Sequence, residues 1–142
     1  MKLVIDSSLF VAAFREQEQF SREAFRILEN VEKGSITAYI PVSVIIEVVA
    51  AIKRRTGSSE LAKRVGEKIL SFAEVILIDL NTFRMNHYLS IAIESGLAGM
   101  DTIIAGAAQE FDIPLLTLDK ELAERAKRFV EICDVQKLSS RL

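Results

Sequence analysis

The chain has 142 residues, half of them hydrophobic, which suits one domain with a sizeable core. A net charge of −2 supplies no global attraction to nucleic acid, so any phosphate binding must come from a local basic patch or from metal ions. Cys133, the one cysteine, excludes an internal disulfide and a cysteine-based zinc site, and fits a reducing, cytoplasmic setting.

Lys2 to Ile5 is predicted as a first strand ending at Asp6. Ser7 and Ser8 start a helix that carries Leu9, Phe10, Ala13 and Phe14. A second helix runs from Ser21 to Lys33 and stops at Gly34, a residue suited to a left-handed helix end. Ile36 to Ile40 is a second strand closed by Pro41, and a long helix follows from Val42 to Arg55. Ser58 or Ser59 caps a further helix to Phe72, and Glu74 to Ile78 is the third strand. Asn81 or Thr82 caps a helix reaching Ser95, with Gly96 beyond its end. In the helix from Thr102 to Phe111, the run Ile103 to Ala108 leaves no polar face, so this element is buried. Leu115 to Leu118 reads as a strand covered on both faces, as in a parallel sheet. A helix from Lys120 to Phe129, a last strand within Val130 to Val135 and a polar tail complete the chain.

No segment reads as a leader or a membrane span. Asp6 interrupts the apolar start, and the longest apolar run, Ile40 to Ile52, contains Glu47 and falls short of the roughly 20 residues a span needs. Strands alternating with helices predict an α/β fold with a central parallel sheet and helices on both faces. In such sheets ligands bind outside the carboxyl ends of the strands, where Asp6 and Asp119 fall.

Four acids stand out. Asp6, Asp101 and Asp119 each flank a helix, and each can be read as a helix cap or as part of a site. Glu47 has no cap reading, because it lies mid-helix in VSVIIEVVAAI, where an unpaired carboxylate is costly. Its same-face neighbours, Ser43, Ala50, Ala51 and Arg54, form a narrow stripe that either lines a cleft or lets Glu47 pair with Arg54. Four carboxylates brought together would repel by about 4 kcal/mol per pair at ~4 Å and an effective dielectric of ~20. A hard divalent ion removes that conflict. Oxygen-only donors point to Mg²⁺ or Mn²⁺, and such a site handles phosphates.

These residues resemble the PIN domain family, and within it the VapC-type toxins of toxin–antitoxin pairs. The resemblance rests on VIDSS with Asp6, Glu47 in the long third helix, GMDTIIAGAA with Asp101, and PLLTLD with Asp119, in order across essentially the whole chain. It implies a single PIN-like nuclease domain over residues 1–142, built as a three-layer α/β/α sandwich. It implies a Mg²⁺- or Mn²⁺-dependent endoribonuclease whose metal site and catalytic set are Asp6, Glu47, Asp101 and Asp119, with Ser7 and Thr117 close by. It further implies an RNA substrate, an antitoxin partner and a homodimer. Position 8, often asparagine in relatives, is Ser8 here.

Lys53, Arg54 and Arg55 form the best local basic cluster, and serve either the helix C-terminus or RNA phosphates. The Lys120 to Arg128 segment mixes both signs and reads as a solvated face. Phe10, Phe14, Phe20 and Phe25 read as core, or as part of a groove for an antitoxin. His87 and Cys133 read as packing residues. Competing functions are a housekeeping PIN nuclease in RNA processing and a non-catalytic protein-binding PIN module, which would be expected to lose one of the four acids. A phosphoacceptor receiver fits the length, but the pattern lacks its paired acids after the first strand.

Overall fold

The computed structural model describes all 142 residues. In chain order the elements are β1 (Lys2–Ile5), α1 (Ser7–Ala13), α2 (Ser21–Glu32), β2 (Thr37–Pro41), α3 (Val42–Thr56), α4 (Ser59–Ser71) and β3 (Val75–Ile78), then α5 (Thr82–Ser95), α6 (Gly99–Phe111), β4 (Leu115–Leu116), α7 (Lys120–Ala126), β5 (Ile132–Cys133) and α8 (Val135–Arg141). The strands form one parallel sheet in the order β3-β2-β1-β4-β5, flanked by helices as an α/β/α sandwich. In register, Val4 lies opposite Tyr39 on one side and Leu115 on the other. Leu3, Val4 and Ile5 are almost wholly buried, as are Leu115 and Leu116, which explains their unbroken apolar runs. Truncating one such side chain to alanine costs about 2–5 kcal/mol.

The chain leaves β1 toward β2 on one side and returns to β4 on the other. The carboxyl ends of β1 and β4 therefore border the crevice where the strand order reverses. Helix α6 packs against β1, β2 and β4, and α5 packs on α6. Gly106 permits that approach, because a Cβ there would lie 2.5 Å from Cδ1 of the buried Tyr88 ring. Helix α3 ends at Gly57, whose left-handed φ of 71° lets its N–H close on Lys53 O.

The larger departures from the sequence reading lie in the second half of the chain. Helix α6 begins at Gly99, three residues before Thr102, because extended Ala98 accepts the Thr102 N–H at 2.8 Å and so starts the helix. Asp101 therefore sits in the first turn of the helix instead of before it. The β4 ladder covers only Leu115 and Leu116, since Thr117 and Leu118 turn away to hydrogen-bond with the start of α1. The last strand shortens to Ile132–Cys133. The polar tail is a helix, capped by Asp134 Oδ1 accepting from Lys137 N at 2.8 Å and held by buried Val135 and Leu138 against α2. Finally, α7 ends at Ala126 rather than Phe129.

β3 is an edge strand whose Ile76 and Leu77 stay exposed. Nearby α5 exposes Phe83 (90 %) and Ile93 (84 %), so much of this helix's apolar surface is not used by the core. No single helix is long and apolar enough to cross a membrane; α5 and α6 reach that composition only as a pair bent by 114°.

Candidate active site

Asp6 follows the last residue of β1 and caps α1, accepting from Ser7 N at 2.7 Å and Ser8 N at 3.4 Å. Capping alone would leave such a side chain near the surface, yet Asp6 is 4 % exposed. Three hydroxyls make that burial tolerable. Ser8 Oγ and Thr117 Oγ1 each donate to Oδ2 at 2.7 Å, and Ser7 Oγ reaches Oδ1 at 3.3 Å. The network continues outward. Ser8 Oγ accepts from Leu118 N at 2.9 Å, and Thr117 Oγ1 accepts from Asp119 N at 3.0 Å. Ser8 thus ties the end of β1 to the segment after β4, a role its hydroxyl permits but the sequence does not announce.

Asp119 caps α7, with Oδ1 accepting from Glu121 N at 2.9 Å and Leu122 N at 3.0 Å, which leaves Oδ2 for other partners. Asp101 is no cap; it projects from the first turn of α6. Burial raises its pKa to about 6, and the charges of Asp6, Asp119 and Glu47 push the same way. Glu47, half-buried in mid-α3, is likewise raised by burial first; the Ser7 hydroxyl and Arg54 oppose this, and Asp6 and Asp119 reinforce it. The Ser7 hydroxyl donates its one proton to Asp6 Oδ1 and so cannot serve Glu47 at the same time. Four acids from four separate parts of the chain therefore share one electrostatic neighbourhood.

Two buried oxygens here lack any hydrogen-bond partner: Glu47 Oε2 and Ser43 Oγ, one helical turn apart on α3. The Glu47–Arg54 pairing does not satisfy Oε2, and Arg54 acts on it only through its charge. As the side chains stand, no three of the acids are close enough together to grip one ion directly.

A cleft of about 340 Å³ opens over Ser7, Ser8 and Glu47, with Arg54, Arg55 and Lys120 on its walls. The three basic residues ending α3 diverge. Lys53 Nζ donates to Gly57 O and Ser59 Oγ at 2.8 Å each, securing the α3–α4 corner. Arg55 bonds Glu18, which also holds Arg15 at 3.1 Å, so the loop between α1 and α2 is pinned across the cleft to the end of α3. Arg54 lines the cleft with Glu47 and acts on it through its charge. The sequence reading missed Lys120, assigned to a solvated face, and Phe20, assigned to core or groove. Neither carries a local signal, because only the packing of α7 and the α1–α2 loop brings them to the cleft.

The PIN domain family model matches residues 3–128. No curated protein sequence matches the chain. Among solved structures, PAE2754 from Pyrobaculum aerophilum superposes with a TM-score of 0.70 at 23 % identity, covering 99 % of this chain and 94 % of its own. VapC20 of Mycobacterium tuberculosis, described as a sarcin–ricin loop cleaving toxin, gives 0.72 at 15 % identity, covering 92 % and 98 %. FitAcB from Neisseria gonorrhoeae gives 0.63 at 16 % identity, covering 96 % and 99 %. At these identities the likeness establishes the fold.

Proposed function

The chain belongs to the PIN domain family, a family of nucleases, and from that premise we propose that it is a metal-dependent endoribonuclease and the toxin of a toxin–antitoxin pair. The observation that carries the reading is the gathering of Asp6, Glu47, Asp101 and Asp119, with Asp101 held near pKa 6 by burial and by the other three charges.

The donor set fits a hard divalent cation. Every candidate ligand is an oxygen, and Glu47 Oε2 is buried with nothing to satisfy it. Asp6, Asp101 and Asp119 would hold Mg²⁺ or Mn²⁺, and Glu47 would complete the set or hold a water. Direct contact with all four is not needed, because Mg²⁺ is commonly held by one or two carboxylates and keeps several waters. When bound, such an ion activates a water and offsets negative charge on the phosphoryl oxygens.

The chain's own residues supply the rest. Ser7, Ser8 and Thr117 lock the Asp6 carboxylate, so its oxygens are placed before substrate arrives. Arg54, at the cleft, is the basic residue best placed to meet an RNA phosphate, with Arg55 beside it but committed to Glu18. Lys53 is committed to the α3–α4 corner. In-line attack by a water would break the P–O3′ bond, with the water's proton ending on the leaving 3′ oxygen, to give a 5′-phosphate and a 3′-hydroxyl.

The antitoxin partner is supported by the names of similar structures, including FitAB bound to a DNA fragment, and VapBC from Salmonella typhimurium bound to DNA. A homodimer is supported by the unused apolar surface of α5. A housekeeping nuclease would share the same site; a gene for a small DNA-binding protein immediately upstream, if found, would favour the toxin. Incubating the chain with cellular RNA and Mn²⁺ tests the activity. Cleavage that is lost on chelation and in Asp101→Asn is expected. Equal cleavage by that variant would remove Asp101 from the site, and none by the native chain would favour a binding module.

A further inference from the structure

Phe20 has the most unusual backbone in the chain. Its φ of 62° and ψ of 20° are left-handed, and it precedes α2 without any side-chain cap hydrogen bond. The other non-glycine residue with positive φ, Asp112, is of a type that tolerates this region and closes α6 in an ordinary way. A phenylalanine gains nothing locally from such a conformation, and strain of this kind collects at ligand-holding positions. Core packing does not explain it either. Phe20 belongs neither to the buried core cluster nor to the partly buried hydrophobics packed against that core.

The surrounding loop holds it in place. Glu18 bonds Arg15 and Arg55, and the Phe20 carbonyl accepts from Ala24 N at 2.9 Å. The half-buried Phe20 lies between two clefts. One is the cleft over Ser7, Ser8 and Glu47; the other runs over Thr117, Cys133 and Lys137. Leu118 and Lys120 border both. An aromatic ring and an ammonium group on a path leading past Glu47 are the elements that hold single-stranded nucleic acid.

We propose that Phe20 is a substrate-positioning residue whose ring stacks a base of single-stranded RNA next to the nucleotide held at the acids, while Lys120 meets the phosphate between them. This rests on the ribonuclease reading and deepens it. Stacking accepts any base, so Phe20 fixes the strand's path and register and leaves sequence preference to other contacts.

The test is fluorescence anisotropy with single-stranded oligoribonucleotides of about ten nucleotides, first with a chelator and then with Ca²⁺. Phe20→Ala is expected to weaken binding by about 10- to 100-fold and Phe20→Tyr to keep it. Phe20→Leu, which retains apolar bulk without a flat ring, is expected to fold like the native chain and bind like Phe20→Ala. Removing one base at successive positions should reveal a position whose loss costs the native chain as much as Phe20→Ala does, and costs Phe20→Ala nothing more. A merely structural Phe20 would show no such coupling. Native-like RNA binding by Phe20→Ala, or additive losses at every position, overturns the stacking proposal alone. No RNA binding by the native chain in either condition overturns it together with the ribonuclease reading.

Discussion

Thr117 Oγ1 donates a 2.7 Å hydrogen bond to Asp6 Oδ2 across 111 positions of sequence, tying the carboxyl end of β4 to that of β1. The same oxygen accepts the Asp119 N–H at 3.0 Å, so one hydroxyl sets two of the four acids relative to each other. Thr117 is 7 % exposed and this hydrogen bond is buried, so water cannot readily replace the hydroxyl.

Thr117→Val keeps the shape and removes the hydroxyl. It should cost about 1–3 kcal/mol of stability, because buried Asp6 loses a donor and the Asp119 N–H loses its acceptor. If the acids hold a metal as proposed, RNA cleavage should fall by about 10- to 100-fold, as for the outer partners of metal ligands. Chemical denaturation and a cleavage assay check the two parts. A variant with native activity would reduce Thr117 to a packing residue.

Asp101 gives a pH dependence of definite sign. Its pKa is raised to about 6, so the folded chain binds this proton more tightly than the unfolded chain. The contribution to stability is full below about pH 4, the ordinary range of an aspartate, and is lost as pH rises through about 6. Without divalent ions, Asp101→Asn should therefore be more stable than the native chain at pH 7, by about 1–2 kcal/mol once solvent screening is allowed for. The gap should close on acidification. Thermal unfolding from pH 7 to pH 4 measures it, and a variant less stable at every pH would contradict the electrostatic account.

Much of this arrangement is legible in the sequence. The strand at Lys2–Ile5 and the greasy helix around Glu47 follow the local hydrophobic pattern closely, and the apolar runs flanking Asp101 and Asp119 place α6 and β4 but not their ends. Glu47 is conspicuous because a carboxylate has no local reason to sit among Val44, Val48 and Ile45. What could not be read depends on side-chain direction after packing. Lys53, Arg54 and Arg55 are adjacent, yet helical spacing sends them to a corner, to the cleft with Glu47 and to Glu18 respectively. Helix α8 was hidden because its polar residues outnumber the two apolar ones, Val135 and Leu138, that anchor it. Phe20 looks like any core phenylalanine until its backbone is seen.

The exposed apolar residues of α5 make the proposed homodimer testable. Phe83 and Ile93 are nearly as exposed as free side chains, and Leu89 is half exposed. A stable interface buries about 800 Å² per partner, and this helix with the β3 edge offers the apolar part of one. Phe83→Glu combined with Ile93→Glu should convert a dimer to a monomer in sedimentation, leaving the fold intact because neither side chain is in the core. A native chain that is already monomeric, or a double variant that stays dimeric, would contradict it.

The central claim is that the four acids form one metal site, and Mn²⁺ binding by titration calorimetry tests it without any choice of RNA. The native chain should bind Mn²⁺ near neutral pH, with affinity falling below about pH 6 as Asp101 takes up its proton. Asp101→Asn should lose that binding while retaining its fold. Equal Mn²⁺ binding by the native chain and the variant would place the metal elsewhere and contradict the account.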